Sequence, residues 1–267
     1  MSYKIGFIGT GVMGGALARA VSKSEKNILL SNVPQDSAAA LANELGCEYG
    51  DNIKVASECE YILLAVKPQI IGDVLSEIAP ALKARKDNFV IITIAAGVPV
   101  NAIRAKTGVN CPVIRLMPNT PVLVGKGVIL CVFNGADNTR KQEFYDIFKF
   151  AGVCDEIDEA DIDAAGALTG CGPAFAYMVM NSLAKGAENC GIATEKAKKY
   201  AELTVLGAAE LAYKSGEDLE KLKEAVCSPK GTTIEGVNLL EERKIRPAFA
   251  DAVNASYKRS LELGEKQ

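Results

Sequence analysis

The feature that most constrains this chain is a glycine-rich turn directly after an apolar run. The run is Ile5–Ile8 and the turn is Gly9–Gly14, with the sequence GTGVMG. Gly9 permits a tight turn, Gly11 lets a phosphate group approach the backbone, and Gly14 lets a helix pack close to the strand. A strand pattern before the turn and a helical pattern after it provide the context that dinucleotide binding requires. The turn therefore predicts a dinucleotide site, the alternative being a glycine turn that serves packing alone.

Charge, cysteine content and the absence of histidine exclude several classes of function. The 267 residues include 30 basic and 33 acidic ones without a basic block, so nucleic acid is not an expected partner. The longest apolar stretch, Phe89–Val100, is too short to span a bilayer, and we expect no membrane association. Eight scattered cysteines and a start without a signal-like segment predict a cytoplasmic protein with reduced thiols. Because there is no histidine, a Ser-His-Asp triad, a histidine proton shuttle and a histidine-ligated metal are excluded, and no metal is expected.

The spacing of apolar residues changes along the chain. Up to about residue 150, short β-branched runs alternate with helical patterns, which predicts an α/β fold with a doubly wound parallel sheet. The predicted strands are 4–8, 28–33, 61–66, 89–95, 112–116 and 127–133, and the helices between them are 12–23, 35–46, 69–84 and 99–107. From about residue 160 only helical spacing remains, with predicted helices at 161–190, 194–215, 217–227, 232–243 and 247–265. We predict a Rossmann-type dinucleotide-binding domain at 1–159 and an all-helical domain for dimerisation and substrate binding at 160–267.

One predicted helix, 161–190, contains an unusual number of small residues between Gly166 and Ala176. Such a stretch lets another helix lie close, and Pro173 is expected to kink its path. It suits a buried helix, either between subunits or within the chain's own bundle.

Three segments at strand ends are candidates for contact with the cofactor. Neutral Ser31 and Asn32 lie at the end of the second predicted strand, where many dinucleotide folds carry an acid that binds the ribose of NAD. This favours NADP, although no Arg or Lys is nearby to bind the 2′-phosphate. Ligands of open α/β sheets bind at the carboxyl ends of strands, which makes Ala65–Pro68 and Ala95–Gly97 candidates for the nicotinamide end. Lys67 either orients a ligand or is a solvated loop lysine.

Two turns contain polar groups that either contact a ligand or have only a local structural role. Prolines frame Asn119 in Arg115–Pro121, so its amide either contacts a ligand or belongs to an ordinary stiff turn. In the helical half, the loop SPKGTT (Ser228–Thr233) joins two helices. Thr232 or Thr233 would begin the second helix, whose N–H groups can receive a carboxylate. A plain N-cap is the equal alternative.

Together these motifs resemble the pyrroline-5-carboxylate reductase family over nearly the whole chain. The matching segments are Gly9–Gly14, Ala65–Pro68, Ala95–Val98, Arg115–Pro121, Leu168–Phe175 and Ser228–Ile234. The last two are specific, whereas glycine fingerprints occur in many unrelated enzymes. The resemblance implies an NAD(P)H-dependent oxidoreductase that reduces the imine bond of L-1-pyrroline-5-carboxylate to L-proline, the last step of proline biosynthesis. NADPH is the preferred cofactor and NADH a possible one.

The resemblance also implies an assembly and site residues. The helical domain would interlock with a partner in a homodimer that holds the small imino acid substrate at its interface, and some members build pentamers of dimers, or homodecamers. Thr233 looks like the catalytic residue that hydrogen-bonds the imine nitrogen, with Ser228, Gly231 and Thr232 around the substrate carboxylate. The cofactor contacts indicated by the motifs and the resemblance are Gly9, Thr10, Gly11, Val12, Met13, Gly14, Asn32, Asn52, Ala65, Val66, Lys67, Pro68, Ala95, Gly97 and Asn119.

The histidine-free composition suits this reaction. A protonated imine is already electrophilic, so a neutral hydroxyl suffices to hold its nitrogen while alignment supplies most of the acceleration. Reduction of a carbonyl would need a real proton donor. Two alternatives share part of the sequence pattern: a β-hydroxyacid dehydrogenase-like oxidoreductase with a catalytic lysine, and a non-catalytic dinucleotide-sensing protein.

The chain departs from the family pattern at three places. Lys230 stands where the family usually has a second glycine; because lysine resists positive φ, the path of the loop there is open, or the lysine adds a cation beside the carboxylate. Asp218-Leu219 replaces His-Pro at a helix start, where an aspartate is suitable. Cys171 replaces a serine, which matters little for packing.

Overall fold

The computed structural model describes residues 2–264, with side chains described up to residue 262. The chain forms two compact units. The first runs to Cys171 and resumes at Ser256, and the second is Gly172–Ala255. The domain division predicted at 159/160 stays a prediction.

The first unit contains one eight-stranded sheet with the strand order β3-β2-β1-β4-β5-β6-β7-β8. The strands are β1 (Tyr3–Ile8), β2 (Ile28–Ser31), β3 (Glu48–Gly50), β4 (Cys59–Leu64), β5 (Val90–Thr93), β6 (Val113–Met117), β7 (Gly127–Asn134) and β8 (Gly152–Glu156). Neighbouring strands pair in parallel except β6 and β7, which are antiparallel. The predicted doubly wound α/β class is confirmed, with this one departure from a purely parallel sheet.

Helices cover both faces of this sheet. They are α1 (Val12–Val21), α2 (Asp36–Leu45), α3 (Asn52–Glu58), α4 (Pro68–Ala84), α5 (Val100–Thr107), a short 3-10 helix (Thr120–Val124), α6 (Asn138–Phe148) and α7 (Ile162–Thr169). Successive strand residues point to opposite faces. Tyr61 and Leu63 of β4 therefore lie in one core with α1, α2 and α6, while Ile62 and Leu64 lie in the other with α3, α4 and α5. Burial on both faces explains why the strands read as continuous apolar runs.

The sequence pattern missed β3, β8, α3 and α6. The three residues of β3 are too few to show alternation, and β8 (GVCDE) ends in two acids that mask its strand pattern. Other strands were predicted too long: β2 ends at Ser31 and β4 at Leu64, and each is followed by a loop. Pro68 is the first residue of α4, as its missing N–H suggests.

The second unit is all-helical. It contains α8 (Gly172–Asn189), α9 (Thr194–Ser215), α10 (Leu219–Ala225), α11 (Thr232–Glu242) and the start of α12 (Ile245–Gly264). The helix predicted at 161–190 is instead broken between Thr169 and Gly172 into α7 and α8. Pro173 does not kink a continuous helix, because it stands in the first turn of α8, where a missing N–H is harmless.

The buried apolar cluster of the second unit is small. Ala184, Ala197 and Ala201 form it between α8 and α9. α10 and α11 contain no buried residue. Across residues 2–264, we find no helix with the length and apolar character needed to cross a bilayer. All eight cysteines are free.

Candidate active site

The structure shows why glycine stands at each of the three glycine positions of the turn. Gly9 has a φ of +103°, and a Cβ there would lie 2.7 Å from the Ala65 carbonyl oxygen. A Cβ on Gly14 would clash with the carbonyl oxygen of Gly9 and lie 2.8 Å from the Cβ of Ala65. Among the described residues beyond its chain neighbours, none would come within 4 Å of a Cβ on Gly11, so the space beside the start of α1 is open. Gly11 is also the N-cap of α1 and provides no side-chain cap, which leaves first-turn N–H groups for an anion.

The residues after β2 lie against this turn. Asn32 Oδ1 accepts a hydrogen bond from the Thr10 N–H at 2.9 Å, and the Thr10 hydroxyl lies 3.2 Å from the hydroxyl of Ser37. The structure thus brings together Thr10 and Asn32, both predicted site residues. Ser37 was missed, since a serine near a helix start normally signals only a cap. Val12 is exposed and Met13 is half-buried at the start of α1.

Asn52 belongs to a buried polar chain beside the end of β2. The Ser31 hydroxyl donates to Asn52 Oδ1 at 2.7 Å, and Asn52 Nδ2 donates to Glu77 Oε2 at 2.8 Å. The Asn52 side chain is thus already hydrogen-bonded inside the protein, and its contact with the adenosine end of a cofactor stays a prediction. Glu77 of α4 was not foreseen, because it is far from Asn52 in the sequence.

The segments Ala65–Pro68 and Ala95–Gly97 follow the carboxyl ends of β4 and β5. The Ala65 N–H donates to the Ile8 carbonyl at 2.8 Å, which ties this segment to the glycine turn. Val66 is half-buried, and Lys67 is exposed and precedes α4 as its N-cap. In the described part of the chain Lys67 makes no ion pair, so both uses of this lysine stay open.

The Asn119 side chain has a structural role that sequence reasoning left as an alternative. Its Nδ2 donates to the Thr169 carbonyl at 2.9 Å, and its Oδ1 accepts from the Val128 N–H at 2.9 Å. The amide therefore joins the end of β6, the start of β7 and the end of α7. Asn119 is buried, and its contact with a cofactor stays a prediction.

The loop Ser228–Thr233 presents free hydroxyl groups at a helix start. The N-cap of α11 is Gly231 and not a threonine, so the alternative of a plain threonine cap is wrong. Ser228, Thr232 and Thr233 are exposed. Within residues 2–264, no hydrogen bond from another protein group reaches their hydroxyls. A Cβ on Gly231 would require the Ser228 hydroxyl to rotate away and would lie 3.1 Å from the Ser228 carbonyl oxygen, so the glycine lets Ser228 keep its present position.

Lys230, at a position where the family usually has glycine, adopts a left-handed backbone conformation that glycine favours. Its φ is +61°, in the left-handed region, so the loop keeps the path of a glycine although the residue is a lysine. For a side chain with a Cβ this conformation costs about 1–2 kcal/mol.

An ion-pair cluster joins the helices on both sides of this loop. Arg246 of α12 donates from Nη1 to Glu220 Oε1 of α10 at 2.6 Å and from Nε to Glu241 Oε1 of α11 at 2.5 Å. Hydrogen bonds from Arg246 and then Lys223 lower the pKa of Glu220 from 4.5 to about 2. A carboxylate whose pKa is lowered on folding stabilises the folded state at pH values above its unfolded-state pKa. For Glu220 this stabilisation is lost only as the pH falls from 4.5 towards about 2. Asp218 caps α10 by accepting from the N–H groups of Glu220 and Lys221, which confirms that an aspartate suits this position.

A doubly wound sheet with an anion-ready glycine turn, together with a helical unit carrying a hydroxyl-rich loop, defines a dinucleotide-dependent oxidoreductase. Residues 159–263 match the family model for pyrroline-5-carboxylate reductase dimerisation, and residues 4–97 match the model for NADP oxidoreductase, coenzyme F420-dependent. The chain belongs to the pyrroline-5-carboxylate reductase family. The predicted family and enzyme class are thereby confirmed, and neither the hydroxyacid dehydrogenase nor the sensing protein is supported.

Similar proteins cover the whole chain. The chain is 36% identical to a pyrroline-5-carboxylate reductase of Methanosarcina acetivorans and 35% identical to that of Corynebacterium melassecola, with 98% of each chain covered in both comparisons. The crystal structure of Plasmodium falciparum pyrroline carboxylate reductase with NADP bound is similar with a TM-score of 0.87 and 32% identity, covering 98% of both chains.

Proposed function

We propose that this chain uses NADPH to reduce the imine bond of L-1-pyrroline-5-carboxylate and releases L-proline. The observation that supports the proposal is the exposed Ser228–Thr233 loop, in which, among residues 2–264, three hydroxyls and the first N–H groups of α11 have no side-chain partner. These groups match an amino-acid-like substrate, which carries one carboxylate and one nitrogen.

The loop residues take separate roles in this proposal. The N–H groups that begin α11 and the Ser228 hydroxyl bind the substrate carboxylate, because a helix N-terminus favours an anion. The side-chain-free Gly231 lets the carboxylate approach the backbone, and Thr232 adds a second hydroxyl. The Thr233 hydroxyl hydrogen-bonds the imine nitrogen. The exposed Lys230 ammonium adds attraction for an acidic substrate.

The residues of the first unit fit a dinucleotide. Open space at Gly11 and uncapped N–H groups of α1 suit a pyrophosphate, with Gly9, Gly14, Val12 and Met13 shaping the turn. Thr10, Asn32 and Asn52 would hold the adenosine end, and neutral side chains after β2 support NADPH over NADH. Ala65, Val66, Lys67, Pro68, Ala95, Gly97 and Asn119 would surround the nicotinamide end. When bound, NADPH supplies the hydride.

The protein need not supply a strong acid in this reaction. A protonated imine accepts hydride at carbon, and the product amine keeps its proton. The chain's contribution is to exclude misaligned poses by holding the carboxylate and the nitrogen at two fixed points. A histidine-free site is therefore adequate.

The working form in this proposal is a homodimer, which can assemble further into a pentamer of dimers in the cytoplasm. Support comes from the match to the dimerisation model and from the apolar side chains that α8 and α9 leave exposed.

A cofactor-consumption assay tests the proposal. Purified protein is given the five-ring imine, its six-membered homologue, a 2-oxo acid or a 3-oxo acid, each with NADPH and with NADH. We expect the fastest turnover with the five-ring imine and NADPH. The six-membered imine should react with a lower kcat/KM. The difference should correspond to no more than about 1–3 kcal/mol of transition-state binding, since one methylene is worth that much. Tight NADPH binding without imine turnover would contradict the proposal.

A further inference from the structure

The loop that joins β5 to α5 is fixed at both ends by side chains. This loop, Ala95–Pro99, contains Gly97 with a φ of +74°. At its start the Ala95 N–H donates to Thr93 Oγ1 at 3.2 Å. At its end the Val100 N–H donates to Glu159 Oε1 at 3.1 Å, although the two residues are 59 positions apart.

Glu159 provides a cap that α5 lacks locally. The N-cap residue is Pro99, which offers no hydrogen-bonding side chain, and the first turn of α5 contains no acidic residue. Val100 is only 1% exposed, so its N–H has little access to water, and leaving such a group unpaired is costly. A carboxylate at this end also interacts favourably with the helix dipole.

Buried Arg115 lies beside Glu159 as an ion-pair partner. The Arg115 side chain is 5% exposed, and its residue pairs with Thr93 across β5 and β6. Its Nη1 lies 3.7 Å from Glu159 Oε1, and its Nη2 lies 3.5 Å from Asp163 Oδ1. Asp163 in turn accepts a hydrogen bond from Ser260 at 2.9 Å. Neither contact is a hydrogen bond, so the buried guanidinium attracts the two carboxylates electrostatically, and the directional contact of Glu159 is the one to the Val100 N–H.

We infer that Glu159 is a positioning residue for hydride transfer, which holds the Ala95–Pro99 loop in the shape that receives the nicotinamide ring. The inference rests on the proposed function, which assigns Ala95 and Gly97 to the cofactor. With the Val100 end released, the glycine-containing loop has one side-chain anchor left. Because hydride transfer depends steeply on the alignment of the reacting atoms, the chemical step suffers more than ligand binding.

The kinetic test compares Glu159→Ala, Glu159→Gln and the control Asp158→Ala, which removes an exposed carboxylate from the neighbouring position. We expect Glu159→Ala to lower kcat roughly tenfold, with the KM for the imine and the Kd for NADPH changed by less than about threefold. The deuterium isotope effect on kcat with deuterated NADPH should rise. Glu159→Gln should restore most of kcat, since its amide oxygen can accept from Val100 while Asp163 still pairs with Arg115. Asp158→Ala should match the unmodified protein.

Amide hydrogen exchange gives a readout that does not depend on activity. We expect faster exchange at residues 96–100 in Glu159→Ala and near-normal exchange in Glu159→Gln. Unchanged kcat and unchanged exchange in Glu159→Ala would overturn the inference. Should the alanine variant not fold, Glu159→Asp must show both changes in the same direction, and unchanged values would overturn the inference equally. If the unmodified protein fails to reduce the imine, the proposed function fails, while the exchange experiment still tests the anchor.

Discussion

The two units differ in how much of their apolar surface is buried within a single chain. The first unit buries large side chains on both faces of its sheet, among them Phe7, Tyr61 and Phe144. The second has three buried alanines and leaves large apolar side chains exposed on α8 and α9. These exposed side chains are Tyr177, Met178, Leu183, Tyr200, Leu203, Leu206, Leu211 and Tyr213. Because a continuous exposed apolar surface is unusual in a monomer, these side chains support the proposal that α8 and α9 pack against a partner.

The polar groups of the two candidate sites differ in the same way. In the first unit, Asn32, Asn52 and Asn119 are hydrogen-bonded within the protein. In the second, the hydroxyls of Thr232 and Thr233 have no such partner in the part of the chain described. In the proposed cofactor site, hydrogen bonds within the protein therefore hold the asparagine side chains in place, whereas the proposed substrate site keeps its threonine hydroxyls free for a ligand.

The largest effect should follow from placing charge on the apolar face of α9. Leu203→Glu combined with Leu206→Glu should convert the assembly to monomers and abolish imine reduction, because unpaired carboxylates in an apolar interface cost several kcal/mol. Sedimentation and the reductase assay measure both effects. Val153→Glu, an equally exposed apolar position on β8, is the matched control and should leave both unchanged. A double variant that stays associated would mean that this face is not the interface.

A smaller effect should separate two glycines of the turn. Gly11→Ala should leave the folded state as stable as before, since its Cβ would enter open space, yet raise the Kd for NADPH about tenfold or more because that space would admit the pyrophosphate. Gly14→Ala should instead lower the stability itself by about 1–3 kcal/mol through overpacking. Thermal unfolding and NADPH fluorescence titration distinguish the variants. Equal loss of stability in both would refute the assignment of Gly11 to ligand contact.

The smallest effect concerns Lys230. Lys230→Gly should raise the free energy of unfolding by about 1 kcal/mol, since glycine adopts positive φ without steric cost and loses only part of that gain to chain entropy. Denaturant unfolding measures the change. Lys244, with a φ of +56°, is the matched control outside the loop, and Lys244→Gly should stabilise by a similar amount. No gain in either variant would mean that the left-handed backbone carries little strain.

Local patterns predicted the parts of the molecule that local chemistry determines. The glycine turn, the strands before each binding loop and the helical character beyond residue 160 all depend on neighbours in the sequence. Contacts between distant residues escaped prediction: the Glu159 cap on Val100 and the bond from Asn119 to Thr169. The break before Gly172 was also missed, because small residues fit a continuous helix as well as an interrupted one. The positive φ of Lys230 is imposed by the loop against the residue's own preference.

A crystal structure with NADP and proline bound tests most directly whether the first unit binds the cofactor and the Ser228–Thr233 loop of the second unit binds the substrate. We expect the dinucleotide at Gly9–Gly14 and the proline carboxylate at the N–H groups of Thr232 and Thr233, with the ring nitrogen beside the Thr233 hydroxyl. Density for proline remote from residues 228–233 would contradict this expectation.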